Sequence, residues 1–229
     1  MNIFAVIVAA GLGERFGDGT LKQLTPLAGM PMVAWSIKRI GDRRNVAGIA
    51  LVVPPGCEDE MRAGIGKHGG SDVDMWVEGG ETRQGSVCNG IDALPPEATH
   101  VIVHDAARPC LTDNLLQHIL DALQTHNAVV PAIPATDTLV REVDGRVERV
   151  VDRTHVVGVQ TPQAFDLELL RRAHENAQAK GLMLSDDGSL VLALDEEVVT
   201  VRGERTNIKV TYPEDLMIAE VILREQVRK

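Results

Sequence analysis

IFAVIVAAGLGERFG, residues 3–17, joins an unbroken apolar run to a loop that contains three glycines. Residues 3–9 predict a strand buried on both faces, because none of them is polar. Glycines at the carboxyl end of such a strand let backbone N–H groups wrap a phosphate, although the same loop is also compatible with an ordinary tight turn. The stretch therefore predicts a parallel sheet covered by helices, and it is compatible with a phosphate-binding loop after the first strand.

Strand-like and helix-like patterns alternate on both sides of this segment. Further strands are predicted at residues 49–53, 73–77, 101–103, 128–133, 198–202 and 207–210, and helices at residues 32–40, 82–94, 113–123, 166–180 and 213–227. Such alternation predicts βαβ units and a mostly parallel sheet. We expect an α/β fold, Rossmann-like, with its sheet flanked by helices.

One segment departs from this alternation. Residues 138–143 and 146–151 flank Asp144-Gly145, a strong signal for a two-residue hairpin turn. The pattern is too polar for a core hairpin, so we expect a β-hairpin arm at about residues 135–157 that projects from the domain. No linker, repeat or low-complexity tract interrupts the chain, and we expect residues 1–229 to form a single domain.

Composition excludes several classes of protein. The chain has 229 residues, 44% of them hydrophobic, and a net charge of −10, which argues against binding to nucleic acid or to an anionic membrane. The apolar run at residues 3–10 is too short for a membrane span and lacks the basic start of a signal peptide. Three cysteines without C-x-x-C spacing suggest reduced thiols, and we expect a cytoplasmic protein.

Two familiar nucleotide-binding motifs are absent. A dinucleotide fingerprint needs glycine where Phe16 stands and an acid near the end of the second strand, where Pro54 and Pro55 stand. A Walker loop needs G-K-S/T, which the chain lacks. A dehydrogenase and a P-loop enzyme are therefore disfavoured.

Three clusters of polar residues follow predicted strands. Arg15 and Lys22 lie in or beside the first loop, GGETRQGS spans residues 79–86, and HDAARP spans residues 104–109. Cations near a phosphate loop can stabilise a transferring phosphoryl group, and a carboxylate at Asp105 could hold Mg²⁺ or a ribose hydroxyl. Solvated surface cations, an ordinary loop and a surface ion pair are the structural alternatives. His104 is better explained as a packed, hydrogen-bonded side chain than as a catalyst.

These clusters belong to a longer ordered set of motifs. The first motif joins AAG at 9–11 to KQ at 22–23, and it is followed in order by GGETRQGS, HDAARP, VDR at 151–153, TPQ at 161–163 and NIKVT at 207–211 with PEDL at 213–216. That order resembles the 2-C-methyl-D-erythritol 4-phosphate cytidylyltransferase family of the non-mevalonate isoprenoid pathway. The resemblance spans nearly the whole chain, and six modest motifs in order are highly specific.

The resemblance implies a fold of the nucleotide-diphospho-sugar transferase type and an enzyme that transfers a cytidylyl group from CTP to methylerythritol phosphate. It implies Mg²⁺ held mainly by the CTP phosphates, with Asp105 as its protein-side ligand, and a homodimer formed through the hairpin arm. The catalytic cations that it implies are Arg15, Lys22, Arg153 and Lys209. The substrate-binding residues that it implies are Ala9, Ala10, Gly11, Leu12, Gly13, Gly80, Glu81, Arg83, Ser86, Asp105, Ala106, Arg108, Thr138, Thr161 and Ser185.

The match has departures and leaves alternatives. Leu21 stands where the family usually has proline, SDDGS at 185–189 stands where it usually has TDEAS, and Glu81 replaces the commoner aspartate. A ribitol 5-phosphate cytidylyltransferase has a similar set of loops. A non-catalytic nucleotide-binding domain is the alternative from another class, but it would be expected to have lost a transition-state cation.

Overall fold

A computed structural model describes residues 1–11, 21–42 and 45–228 of the chain. Its helices are α1 (Met32–Gly41), α2 (Glu58–Ile65), α3 (Arg83–Asp92), α4 (Asp113–Leu123), α5 (Leu167–Lys180), α6 (Asp187–Leu192) and α7 (Glu214–Val227). Its strands are β1 (Ile3–Val8), β2 (Pro26–Leu27), β3 (Met30–Pro31), β4 (Val46–Val53), β5 (Met75–Glu78), β6 (His100–Asp105), β7 (Ala128–Pro134), β8 (Leu139–Val143), β9 (Arg146–Val151), β10 (Val157–Val159), β11 (Gln163–Asp166) and β12 (Val199–Arg202).

Among the described residues, eight of these strands form the central sheet. They lie in the order β10, β7, β11, β6, β1, β4, β5, and β12 pairs with β7. The pairs β1 with β4, β1 with β6, β4 with β5 and β7 with β12 are parallel. Strands β10 and β11 are antiparallel to their neighbours. The predicted Rossmann-like α/β fold with a mostly parallel sheet is confirmed.

Helices cover both faces of the sheet. In β1, Ile3, Ala5 and Ile7 pack into one core cluster with side chains of α1, α2 and α4. Phe4 and Val6 pack into the opposite cluster with α3, α5 and α6. Successive side chains of a strand point to opposite faces, so a strand between two helical layers must be apolar throughout, as residues 3–8 are.

Several predicted boundaries shift by a residue or two because capping residues begin the helices. Thr82 and Asp166 are N-caps of α3 and α5, each accepting a backbone N–H bond with its side chain. Pro213 is the N-cap residue of α7 rather than its first helical residue. The strand predicted at residues 207–210 is wrong: this segment is irregular, and Val210 makes a backbone bond to Ala107 instead of entering a ladder.

The predicted hairpin forms from β8 and β9, which pair only with each other within the described chain. Asp144 and Gly145 both have positive φ, 51° and 74°, as a type I′ turn requires. The hairpin exposes apolar side chains, with Val147 and Val150 64% and 65% exposed. Within the described residues, no helix is long and apolar enough to span a membrane.

Candidate active site

A cavity of about 750 Å³ opens at the carboxyl ends of the central strands. This is the edge at which open α/β sheets bind their ligands. Ten of the residues predicted for the site line it: Ala10, Gly11, Lys22, Gly80, Glu81, Arg83, Ser86, Asp105, Ala106 and Lys209. The fold thus gathers segments from four distant parts of the sequence around one space.

The start of the glycine-rich loop is held by a neighbouring side chain. The buried Gln23 amide donates hydrogen bonds to the carbonyls of Ala9 and Gly11. Lys22, in the short 3-10 turn of residues 22–24, donates to the carbonyl of Val210. These contacts tie the loop to the segment that carries Lys209, so the ammonium of Lys22 stands on the cavity wall.

The loop after β5 approaches the first loop closely. A Cβ added at Gly79 would lie 2.3 Å from Cβ of Ala10, so no larger residue fits there without movement. The Ser86 hydroxyl accepts from the Gly80 N–H at 3.1 Å and donates to the Thr82 carbonyl at 2.9 Å. The two loops therefore form a fixed wall with exposed backbone, a surface suited to a flat base.

Asp105 ends β6 and lies between two cations. Its Oδ1 accepts from Nε of Arg83 at 3.0 Å, and its Oδ2 accepts from Nζ of Lys209 at 2.6 Å. Burial alone would raise the pKa of Asp105, but the charges and hydrogen bonds of Arg83 and Lys209 hold it well below its usual range. Asp105 is therefore ionised at neutral pH, and it orients both cations at the cavity.

Three predicted site residues lie just behind the described cavity wall. Ala9 is buried at the end of β1. The Thr161 hydroxyl accepts from the backbone N–H of Asp105 at 3.0 Å, and Arg108 donates to the carbonyl of Asn207 at 2.8 Å. Thr161 thus fixes the main chain at Asp105, and Arg108 fixes the segment before Lys209.

His104 is a packed residue, as expected from the sequence. It is fully buried, with Nδ1 3.1 Å from the Thr161 hydroxyl and Nε2 3.2 Å from the Arg108 carbonyl. Burial lowers the pKa of His104 to about 4. The ring is therefore neutral at physiological pH and carries no charge into the site.

The remaining predicted residues are exposed or lie outside the described chain. Thr138, Arg153 and Ser185 are exposed and do not line the described part of the cavity. Arg153 donates to the carbonyl of Thr136 at the base of the arm. Leu12, Gly13 and Arg15 fall outside the residues that the structure describes.

Comparison with known proteins identifies the family. A sequence model of 2-C-methyl-D-erythritol 4-phosphate cytidylyltransferase matches residues 3–225. The chain belongs to this family. A relative of that name from Synechococcus is 38% identical over 222 residues, 96% of each chain, and one from Pelotomaculum thermopropionicum is 39% identical over 97% of this chain and 94% of its own.

Solved structures of the cytidylyltransferase family share the fold. The Thermus thermophilus enzyme superposes with a TM-score of 0.82 at 36% identity, covering 98% of this chain and 100% of its own. The corresponding synthase from Anaerococcus prevotii gives a TM-score of 0.83 at 30% identity, covering 97% and 98%. The chain is therefore a nucleotidyltransferase of this family, as the ordered motifs predicted.

Sequence reasoning missed some residues that shape the cytidylyltransferase site. Asp187 accepts from Nη1 of Arg83 at 2.8 Å and is fully buried. His174 lies 3.4 Å from the other oxygen of Asp187. The only sequence signal was the SDDGS departure at 185–189, and nothing in it indicated a contact with residue 83. Gln23 carried a weaker signal, its place directly after Lys22.

Proposed function

We propose that this chain transfers the cytidylyl group of CTP to 2-C-methyl-D-erythritol 4-phosphate and releases pyrophosphate, in isoprenoid precursor biosynthesis. Family membership over nearly the whole chain supports the reaction. The observation that carries the proposal is the meeting of Lys22, Arg83 and Lys209 with the first glycine loop at one cavity. Three cations in one cleft of an otherwise acidic chain suit a reaction between two anions.

The nucleotide occupies the side of the cavity formed by the two glycine-containing loops. The triphosphate lies against the first loop, and the cytosine lies against the backbone after β5. The residues we assign to CTP are Ala9, Ala10, Gly11, Leu12, Gly13, Gly80, Glu81, Arg83, Ser86, Asp105 and Ala106. Arg15 and Lys22 stabilise the charge that develops on the transferring group.

The sugar-alcohol phosphate occupies the side next to Lys209. Thr161 and Arg108 support this side from behind the wall, through the main chain of Asp105 and the segment before Lys209, and we assign Ser185 of the same chain to it as well. Thr138 and Arg153 come from the arm of a second subunit, an arrangement motivated by their exposed positions away from the described cavity wall. In this proposal the domain is one unit, residues 1–229, with a dimerisation arm at about 135–157.

The chemistry needs no general base. A phosphate monoester has a second pKa of about 6, so it is already mostly dianionic at neutral pH. One of its oxygens forms a bond to the α-phosphorus of CTP while the bond from that phosphorus to the bridging oxygen breaks, and pyrophosphate leaves with the electron pair. The protein's task is to hold two anions in line, which Lys22, Arg153 and Lys209 do with positive charge.

The residues present fit a divalent cation carried mainly by the nucleotide. Within the described parts of the chain, no group of three or more His, Cys, Asp or Glu residues could hold a metal. Both oxygens of Asp105 already accept from cations, so Asp105 can add at most one protein ligand. When bound to the CTP phosphates, Mg²⁺ would neutralise charge and polarise the α-phosphoryl group.

The proposed setting is the cytoplasm. Cys57, Cys88 and Cys110 are all free, and Cys110 is buried, as expected in a reducing compartment. The proposed partners are CTP, methylerythritol phosphate and a second copy of the chain, without nucleic acid or membrane.

Pyrophosphate release tests the reaction. The enzyme is incubated with CTP and Mg²⁺ together with methylerythritol phosphate or, in a parallel arm, ribitol 5-phosphate. We expect turnover with methylerythritol phosphate and a preference for CTP over UTP, because a site that hydrogen-bonds cytosine leaves buried groups unpaired with another base. Turnover with ribitol phosphate alone would identify the related enzyme, and no turnover with either would favour a non-catalytic domain.

A further inference from the structure

Five charged groups form a chain that runs from the cavity wall into the interior of the fold. In order they are Lys209, Asp105, Arg83, Asp187 and His174, with closest N···O distances of 2.6, 3.0, 2.8 and 3.4 Å. The first three line the cavity, and the last two lie behind it in the fold. A side chain of α5 is thus linked through four ionic contacts to a cation at the ligand site.

Arg83 is held at two of its three nitrogens. Nε donates to Asp105 and Nη1 donates to Asp187. Nη2 is buried and has no hydrogen-bond partner among the described residues, although the side chain lines the cavity. Buried donors are normally paired, but Nη2 is covered by protein, so a ligand in the cavity meets the exposed quarter of the Arg83 side chain. Two carboxylates at different nitrogens fix the plane of the guanidinium and hence the part of it that faces the cavity.

Asp187 does not line the described cavity and does not cap α6. The N-cap is Asp186, whose Oδ1 accepts from Ser189 N at 3.0 Å and whose Oδ2 accepts from Gln163 at 2.7 Å. Asp187 instead directs both oxygens to cations, Arg83 and His174. A buried carboxylate is costly unless it is paired, so the ion pairs with Arg83 and His174 explain why Asp187 can be buried.

His174 supplies the positive charge at the inner end of this series of ion pairs. Its side chain is 4% exposed. Burial alone would lower the pKa of His174, but the neighbouring Asp187 carboxylate and the Cys88 side chain raise it to about 9. The ring is therefore protonated at neutral pH and offsets the part of the Asp187 charge that Arg83 leaves uncompensated.

We infer that Asp187 is a positioning residue for the CTP side of the site, which acts by fixing the guanidinium of Arg83 where this side chain lines the cavity and meets the nucleotide. The inference rests on the proposed function, because it takes the ligand of Arg83 to be CTP. Lys209, on the sugar-phosphate side, is separated from Asp187 by two further groups, so losing Asp187 affects the two substrates unequally.

The variant Asp187→Asn keeps the shape of the side chain and removes its charge. We expect the dissociation constant for CTP, measured by calorimetry without the second substrate, to rise by about tenfold or more, since charged hydrogen bonds are the strong ones. We expect KM for methylerythritol phosphate to change by less than about twofold. The matched control is Asp186→Asn, which weakens the cap of the same helix without touching Arg83.

A double-mutant cycle separates positioning from general destabilisation. In an Arg83→Ala background, Asp187→Asn should cost no further CTP affinity, because the side chain that Asp187 positions is already gone. If Asp187→Asn does not fold, Asp187→Ser takes its place with the same expected split, because it also removes the carboxylate that holds Arg83.

Two results would overturn the inference. One is CTP binding of wild-type strength in Asp187→Asn, or in Asp187→Ser where that variant replaces it. The other is an equal loss for both substrates. If the wild-type chain bound CTP but transferred nothing, the proposed reaction would fail while the positioning of Arg83 could still be measured by calorimetry.

Discussion

Lys209 Nζ lies 2.6 Å from Oδ2 of Asp105, the last residue of β6, although the two residues are 104 positions apart in the chain. The same carboxylate accepts from Arg83 through its other oxygen. One acidic side chain therefore orients a cation on each side of the cavity. Because its folded pKa is depressed, this contribution is present above the ordinary value near 3.8 and is lost only in strong acid.

Replacing Asp105 with Asn should damage both halves of the site. The variant leaves Arg83 and Lys209 without a shared partner, and we expect the free energy of unfolding to fall by about 1–3 kcal/mol, since charged hydrogen bonds are lost from a buried site. We expect kcat/KM to fall for both substrates. Urea denaturation and steady-state kinetics measure the two effects, with exposed Asp59→Asn as control. An unchanged KM for either substrate would contradict the shared role.

Lys22→Ala should lower kcat far more than it weakens CTP binding. The ammonium stands on the cavity wall beside the start of the first glycine loop. Loss of one group that stabilises charge in the transition state costs about 10²–10³ in rate. Single-turnover kinetics and CTP calorimetry on the same preparation separate chemistry from binding. A near-normal kcat would remove Lys22 from the catalytic set.

Gly79→Ala should separate the two loops that face the nucleotide. The added methyl group would lie 2.3 Å from Cβ of Ala10 and 3.2 Å from the carbonyl of Val53, so backbone must move. We expect CTP affinity to fall by about tenfold or more, with a further loss of stability of about 1–3 kcal/mol from overpacking. Gly70→Ala is the matched control, because the nearest atom to its added methyl group is 3.8 Å away. Equal CTP affinity in the two variants would argue against a role for the close contact between the two loops in CTP binding.

Local patterns predicted most of the longer strands and helices, for identifiable reasons, but they did not predict α2, α6, β10 or β11. Strand β1 is apolar throughout because it is buried between two helical layers, and the turn at Asp144 and Gly145 needs positive φ at both positions. The order of the strands was harder to predict, because no local sequence pattern shows that β11 pairs antiparallel with both β6 and β7.

The site was predictable where motifs follow strands and unpredictable where it depends on packing between distant segments. Asp105 follows a buried run, so its place at the sheet edge could be inferred. The contact of Arg83 with Asp187 joins residues 104 positions apart, and it depends on where the short helix α6 packs. Periodicity carries no information on such a contact, because a fully buried acid and an exposed one look alike in sequence.

His174 should make stability sensitive to alkaline pH. Its folded pKa of about 9 exceeds its ordinary value of 6.5, so its contribution is fully present below pH 6.5 and is lost as pH rises through about 9. We expect the free energy of unfolding to fall over this range by roughly 3 kcal/mol more in the parent than in His174→Gln. Denaturant titrations of both proteins from pH 6 to 10 measure the difference. Parallel curves for the two proteins would contradict a raised pKa.

The hairpin arm exposes apolar side chains that a second subunit would cover. Strands β8 and β9 pair only with each other among the described residues and expose valines, whereas an isolated two-stranded hairpin is marginal in water. The simplest cover is the same arm of a second subunit, related by two-fold symmetry.

Arg153 lies just beyond β9 and away from the described cavity wall, so it would serve the neighbouring site. Its guanidinium can bind phosphate through two parallel hydrogen bonds, which lysine cannot reproduce. We therefore expect Arg153→Lys to raise KM for the sugar phosphate and to leave CTP affinity unchanged.

Subunit mixing decides whether Arg153 acts across the dimer. Arg153→Ala and Lys22→Ala subunits should each be inactive alone, because each removes a cation from every site. In a heterodimer with shared sites, one site combines Lys22 of the first subunit with Arg153 of the second and holds no substitution, while the other site carries both. Verified heterodimers should therefore recover about half of the wild-type activity per dimer, since one of two sites is intact. No recovery would place Arg153 in its own subunit's site, because each site of the heterodimer would then carry one of the two substitutions. An Arg153→Ala protein that is active alone would place Arg153 outside the reaction.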